Sequence, residues 1–172
     1  IHEADVMVFV IDVTQGVMPE DFAVADMLRK SGKPVIVAVN KVDGSSREML
    51  VPAMYELGIQ NELLAISAYH NRGIGELLDR ITDLIPVTKD EEITETDALH
   101  LAIVGRPNVG KSTLFNYLIG EERAVVHDQP GTTRDSVDTV VETSQGPIRF
   151  IDTAGMRRKA KIDEETEYYS LV

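Results

Sequence analysis

The residues from Gly105 to Ser112 have glycine at 105 and 110 followed by Lys111 and Ser112, the types and spacing that hold phosphate. Glycines let the backbone close around an anion so that successive N–H groups point inward, and a helix starting there adds a favourable dipole. Lys111 is then placed to reach β- and γ-phosphates, and the Ser112 hydroxyl to ligate Mg²⁺. Arg106, Pro107, Val109 and Thr113 complete the phosphate-contacting stretch. Asn108 inside it is a candidate ligand for a monovalent cation beside the phosphates; an asparagine with only local hydrogen bonds is the alternative.

A phosphate cradle does not choose a base. Asn40-Lys41-Val42-Asp43 supplies the choice. A carboxylate at Asp43 accepts from guanine's ring N–H and exocyclic amine, whereas adenine offers neither donor there. A buried Asp43 left unpaired would cost about 1–3 kcal/mol. Asn40 is expected to brace the loop and the Lys41 stem to lie over the base. Ser67 and Ala68 are expected to give a backbone N–H to guanine's carbonyl oxygen.

Two further segments could sense a γ-phosphate. Thr132 and Thr133 lie in Gly131–Asp135, and Thr133 is the favoured Mg²⁺ ligand of the pair. Asp152, Thr153, Ala154 and Gly155 follow an apolar pair; Asp152 can hold magnesium through water and the Gly155 N–H can bind phosphate. Lys111, Asn108, Thr133 and Gly155 are thus the candidate catalytic groups. The next residue is Met156, where many small GTPases use glutamine to orient water. Arg157, Arg158, Lys159 and Lys161 read equally as a contact to RNA or a partner and as a solvated loop.

The elements that must position these groups alternate. Val6–Ile11, Val35–Val39, Leu63–Ile66 and Leu99–Val104 are apolar runs of the length of buried parallel strands. Pro19–Ser31 predicts a helix with Phe22, Val24, Ala25, Met27 and Leu28 on its apolar side. A second helix is expected near Ser46–Leu57, with Pro52 kinking it or in its first turn. Ile74–Ile85 has helical spacing and ends at Pro86. A helix carrying Leu114, Phe115, Leu118 and Ile119 follows the phosphate loop and closes at Gly120. Val137–Thr143 and Pro147–Ile151 predict a hairpin, and Asp163–Val172 a helical tail. The expected class is α/β: a three-layer sandwich around a mostly parallel sheet with one antiparallel edge strand.

The net charge of −12 disfavours general nucleic-acid binding, and the absence of cysteine rules out thiolate sites. Hydrophobic residues at 43% and charged residues at 27% suit a soluble globular domain. No apolar run approaches the ~18 residues that span a bilayer, so no membrane partner is expected. The chain begins at Ile1 and reads as a piece of a longer protein.

The motifs resemble one family, the Der (EngA) ribosome-assembly GTPases, which carry two Ras-like P-loop GTPase domains in tandem. Gly105–Ser112, Pro130–Asp135, Asp152–Ile162 and Glu167–Ser170 look like the first half of the family's second domain. Glu3–Asp5, Asn40–Asp43, Ser67 and Ala68 look like the second half of its first domain. The resemblance implies GTP and GDP as ligands, Mg²⁺, potassium-assisted hydrolysis with a hydrophobic residue at Met156, a cytoplasmic location and the large ribosomal subunit as partner. The family's first P-loop, second guanine motif and RNA-binding-like domain are not in these residues.

The halves are complementary, which suggests a single composite G domain over 1–172 with circularly permuted motif order. Residues 1–86 are its guanine-recognition half, 87–98 an acidic linker, and 99–172 its P-loop and switch half. The alternatives are a swapped dimer that completes each site between chains, and a nucleotide-gated binding module with negligible turnover.

Overall fold

The computed structural model describes residues 3–59, 63–84, 98–120, 125–128, 139–143 and 146–151. Most of the acidic linker, the segments with Thr133 and with Asp152–Met156, the basic run 157–161 and the expected tail helix lie outside them.

Strand β1 (Val6–Asp12) is buried along its whole length, as its apolar run requires. Its side chains alternate between two layers. Val6, Val8 and Val10 face one core with helix α3 (Ile74–Thr82) and helix α4 (Lys111–Gly120). Met7, Phe9 and Ile11 face the other, with helix α1 (Pro19–Ser31) and a 3₁₀ segment at Val51–Leu57. A strand covered on both sides has no polar face, which is why its sequence does not alternate.

Strand β2 (Val35–Asn40) pairs parallel with β1 and with β3 (Leu63–Ala65). On the other side of β1 lies β4 (Leu99–Val104), also parallel, with Val6 opposite Leu101 and Phe9 opposite Val104. Strands from the two halves of the chain are therefore neighbours in one sheet, seven-stranded among the described residues. Strands β5 (Val125–Asp128), β6 (Thr139–Thr143) and β7 (Gly146–Phe150) complete it in the order β3-β2-β1-β4-β7-β6-β5. The sheet is mostly parallel, and β6 runs against its neighbours. It sits one place in from the edge because β5, unassigned from sequence, pairs outside it. Helices α3 and α4, one from each half, share a layer; Phe115 of α4 meets Phe150 of β7 edge to face at 5.3 Å.

Two helix expectations need correction. The apolar side of α1 is formed by buried Ala25 and Leu28 with half-buried Val24 against the same core, while Phe22 and Met27 are exposed. The inward place one turn before Ala25 belongs to Asp21, buried among polar partners, and this rotates Phe22 outward. Ser46–Leu57 is not one helix but a short α2 (Ser45–Glu48) followed by the 3₁₀ segment, with Pro52 in its first turn. Proline lacks the N–H that would continue the ladder from α2.

Candidate nucleotide site

The C-terminal ends of β1, β2 and β4 lie side by side, Asp12 opposite Asn40, and β4 runs directly into Gly105. In open α/β sheets ligands bind outside the carboxyl ends of strands, where the strand order turns.

The phosphate loop is fitted to the first half of the chain atom by atom. Gly105 has φ +147°, and a Cβ there would fall 2.4 Å from the Val10 carbonyl oxygen of β1. Gly110 has φ +99°, and a Cβ there would fall 2.2 Å from Asn40 Nδ2. Only glycine meets both demands, positive φ and close approach. Asn108 also has a left-handed backbone, φ +63°, a conformation asparagine accepts more readily than most residues. The loop's shape is by itself sufficient reason for an asparagine at this position.

Asn40 joins the two motifs. Its Nδ2 donates to the Val109 carbonyl at 2.7 Å, and its Oδ1 accepts from the Ala68 N–H at 2.9 Å. Each end of the amide is used, and the side chain is buried. The bracing role expected from sequence is thus a three-point contact between β2, the loop after β3 and the phosphate loop. The N–H groups of Ser67 and Ala68 are bonded inside the protein, to the Arg72 carbonyl and to Asn40. A guanine oxygen would have to share or displace the Asn40 bond.

Asp43 is not buried as expected. Its side chain is 34% exposed, accepts from Ser67 Oγ at 2.8 Å and is paired with Arg47 one helical turn on. It sits on the loop after β2, where water solvates one side, so its penalty for lacking a partner arises only once a base covers it. Lys41 has a left-handed backbone, φ +67°, and its Nζ lies 2.7 Å from Asp12 Oδ2. Such backbones cost about 1–2 kcal/mol and gather at functional sites.

Lys111 Nζ donates to the Gly105 and Arg106 carbonyls at 2.9 and 2.7 Å, folded over its own loop. Ser112 and Thr113 open α4 and are half-buried. The Arg106 side chain does not lie along the cradle: its Nε pairs with Asp21 Oδ1 at 2.7 Å and its Nη1 donates to Gln15 at 3.0 Å. Within the loop Arg106 offers its backbone, its carbonyl accepting from Lys111 Nζ. Thr133, Asp152, Thr153, Ala154 and Gly155 lie outside the described residues.

Sequence reasoning missed Asp12, Gln15 and Asp21. Asp21 carried a usable signal, a charge at the inward i−4 position from Ala25. Asp12 accepts from the Thr14 N–H and Oγ1, Gln15 Nε2 and Lys41 Nζ. Burial pushes its pKa up, but the Lys41 and Thr14 hydrogen bonds outweigh that and hold it below the ordinary carboxylate value. A carboxylate depressed in the folded state adds stability above its unfolded pKa of roughly 4, lost as pH falls through the folded value. Asp12→Asn should therefore lower stability at pH 7 and flatten the acid limb below about pH 4, read as urea midpoint against pH. An unaltered acid limb would show that Asp12 is not the group responsible.

The family model described as "Elongation factor Tu GTP binding domain" matches residues 1–87, just over half of the chain. The chain belongs to the GTP-binding domain family of P-loop GTPases. A second model, described as "50S ribosome-binding GTPase", matches residues 100–171. GTPase Der of Symbiobacterium thermophilum is 49% identical over all of this chain and 36% of its own length. GTPase Der of Acetivibrio thermocellus is 50% identical over the whole chain and 39% of its own. The chain therefore spans well under half of these relatives and is Der-like along that span. Among solved structures, YjeQ from Thermotoga maritima shares the fold with a TM-score of 0.57 over 90% of this chain and 50% of that one, at 16% identity. Among the described residues, no helix is long and apolar enough to cross a membrane.

Proposed function

We propose that residues 1–172 form one composite G domain in circularly permuted order, which binds GTP and GDP with Mg²⁺ and hydrolyses GTP. The observation that carries this reading is Asn40, whose single amide ties the guanine motif to the Val109 carbonyl of the phosphate loop. The pairing of β1 with β4 within one chain supports a monomer over a swapped dimer. Residues 1–86 supply base recognition, 87–98 the connection, and 99–172 the phosphate and switch elements.

Asp43 and Ser67–Ala68 read the base, and Gly105–Thr113 wrap the phosphates. The residues fit a nucleotide: the glycines form a cradle that a Cβ would fill, and the Lys111 ammonium lies over that same loop, donating to the Gly105 and Arg106 carbonyls. Ser112 and Thr133 would ligate Mg²⁺ and Asp152 would hold it through water; this hard cation would neutralise charge developing on phosphate. Thr133 and the Asp152–Gly155 segment follow the γ-phosphate. Asn108 is a candidate ligand for potassium, whose charge would act where Met156 cannot orient water. For the longer protein we infer a cytoplasmic role at the large ribosomal subunit, supported by the description of the family matched at residues 100–171. The basic residues 157–161 are a candidate contact.

One experiment tests this reading. In single turnover with potassium, the unaltered chain should release phosphate from GTP, faster than in sodium. Asp43→Asn should shift that release toward xanthosine triphosphate, by about tenfold or more for a lost bidentate pair. Binding without release in either salt would leave a nucleotide-gated module, the reading that Met156 favours. Unchanged GTP preference in the variant would refute Asp43 as the base reader.

A further inference from the structure

A line of polar side chains runs along the rim between the base and phosphate motifs. Lys41 Nζ and Gln15 Nε2 donate to the same Asp12 oxygen, at 2.7 and 3.1 Å. The other end of the Gln15 amide accepts from Arg106 Nη1 at 3.0 Å. Arg106 Nε is held by buried Asp21, whose second oxygen accepts the Met18 N–H at 3.0 Å and so closes the start of α1. The Arg106 carbonyl in turn accepts Lys111 Nζ at 2.7 Å.

We propose that Gln15 is a positioning residue that links the guanine-reading Lys41, through Asp12, to the phosphate loop at Arg106, setting the two half-sites in the register one nucleotide requires. This rests on the reading that one ligand spans both motifs. The chemistry selects glutamine. Asp12 can only accept and Arg106 can only donate, so the bridge must present a donor and an acceptor on one terminal group. A glutamate would satisfy Arg106 but set a second carboxylate against Asp12. A lysine would satisfy Asp12 and repel Arg106.

The consequence differs between ligands. A molecule touching both motifs gains from having them pre-set, because less ordering is left to occur on binding. A molecule touching only the phosphate loop gains nothing from the link. Gln15 is exposed, so water competes for each of its bonds and the effect is moderate.

The test is calorimetric titration of the unaltered chain and Gln15→Met, which keeps length and removes each bond, with GDP and with inorganic pyrophosphate. GDP should weaken about three- to tenfold in the variant while pyrophosphate affinity stays put, since only the first spans the link. Gln15→Glu should fall between. Equal GDP affinity in Gln15→Met, or parallel loss for the two ligands, would overturn the proposal; the second outcome would mean that Gln15 only shapes the phosphate loop. If Gln15→Met fails to fold, Arg106→Lys, which keeps a charge for Asp21 but not the fork that reaches Gln15, should show the same split. Failure of the underlying reading looks different: the unaltered chain would bind pyrophosphate and GDP alike, and the link would fall with the shared site.

Discussion

Asn40→Ala should unfold at markedly lower urea and weaken guanine nucleotide binding by about a hundredfold or more, because buried groups of both motifs lose their partner. The amide is buried and satisfies the Val109 carbonyl and the Ala68 N–H. Its removal leaves two buried polar groups unpaired, at about 1–3 kcal/mol each when no water reaches them. A cavity adds to this. The loss falls on both motifs together, because the carbonyl belongs to the phosphate loop and the N–H to the loop after β3. Asn40→Asp separates the two bonds: an oxygen can still accept from Ala68, but it faces the Val109 carbonyl with no proton to offer. That variant should keep the base loop and loosen the phosphate loop. Denaturant midpoints together with GDP titration check the pair. A stable Asn40→Ala chain with unchanged affinity would remove the central support for a shared site.

Gly105→Ala is expected to destabilise the domain by about 2–4 kcal/mol, from an unfavourable backbone and a forced shift. With φ +147° and a Cβ 2.4 Å from the Val10 oxygen, relief requires β4 to move away from β1. Because that oxygen is backbone in the centre of the sheet, no side-chain rotation can make room. The comparison is Gly75→Ala in α3, where a Cβ meets nothing within 4 Å. Replacing a helical glycine there should stabilise by about 0.5–1 kcal/mol. Thermal or urea unfolding of the two variants checks the contrast. Similar behaviour of the two would mean that the close approach of β4 to β1 is not part of the folded chain.

The phosphate loop, the guanine motif and the strands before them were legible because each is local. A run such as Val6–Ile11 can be buried only on two faces, and a glycine-rich turn between strand and helix has few other uses. The hairpin β6–β7 was legible for the same reason: its pairing partner is adjacent in sequence. What stayed hidden depends on contacts between distant residues. An acid at the inward position of α1 is visible in the sequence, but not that Arg106, eighty-five positions on, holds it there while Phe22 stays outside. Nothing near Asp12 shows that Lys41 will fold back onto it, or that Asp43 will remain solvated rather than buried. Strand β5 lacked a signal because a four-residue edge strand needs only one neighbour to pair with.

The sequence by itself determined which groups are present: a glycine-rich loop with Lys111 and Ser112, a carboxylate in the Asn40–Asp43 turn, and strands that must be covered on two sides. Only the tertiary structure decided that the two motifs meet, because the meeting is made by the parallel register of β1 with β4 and by one buried amide reaching across it. Local residue types set what each loop can bind. Long-range packing sets which loops can bind it together.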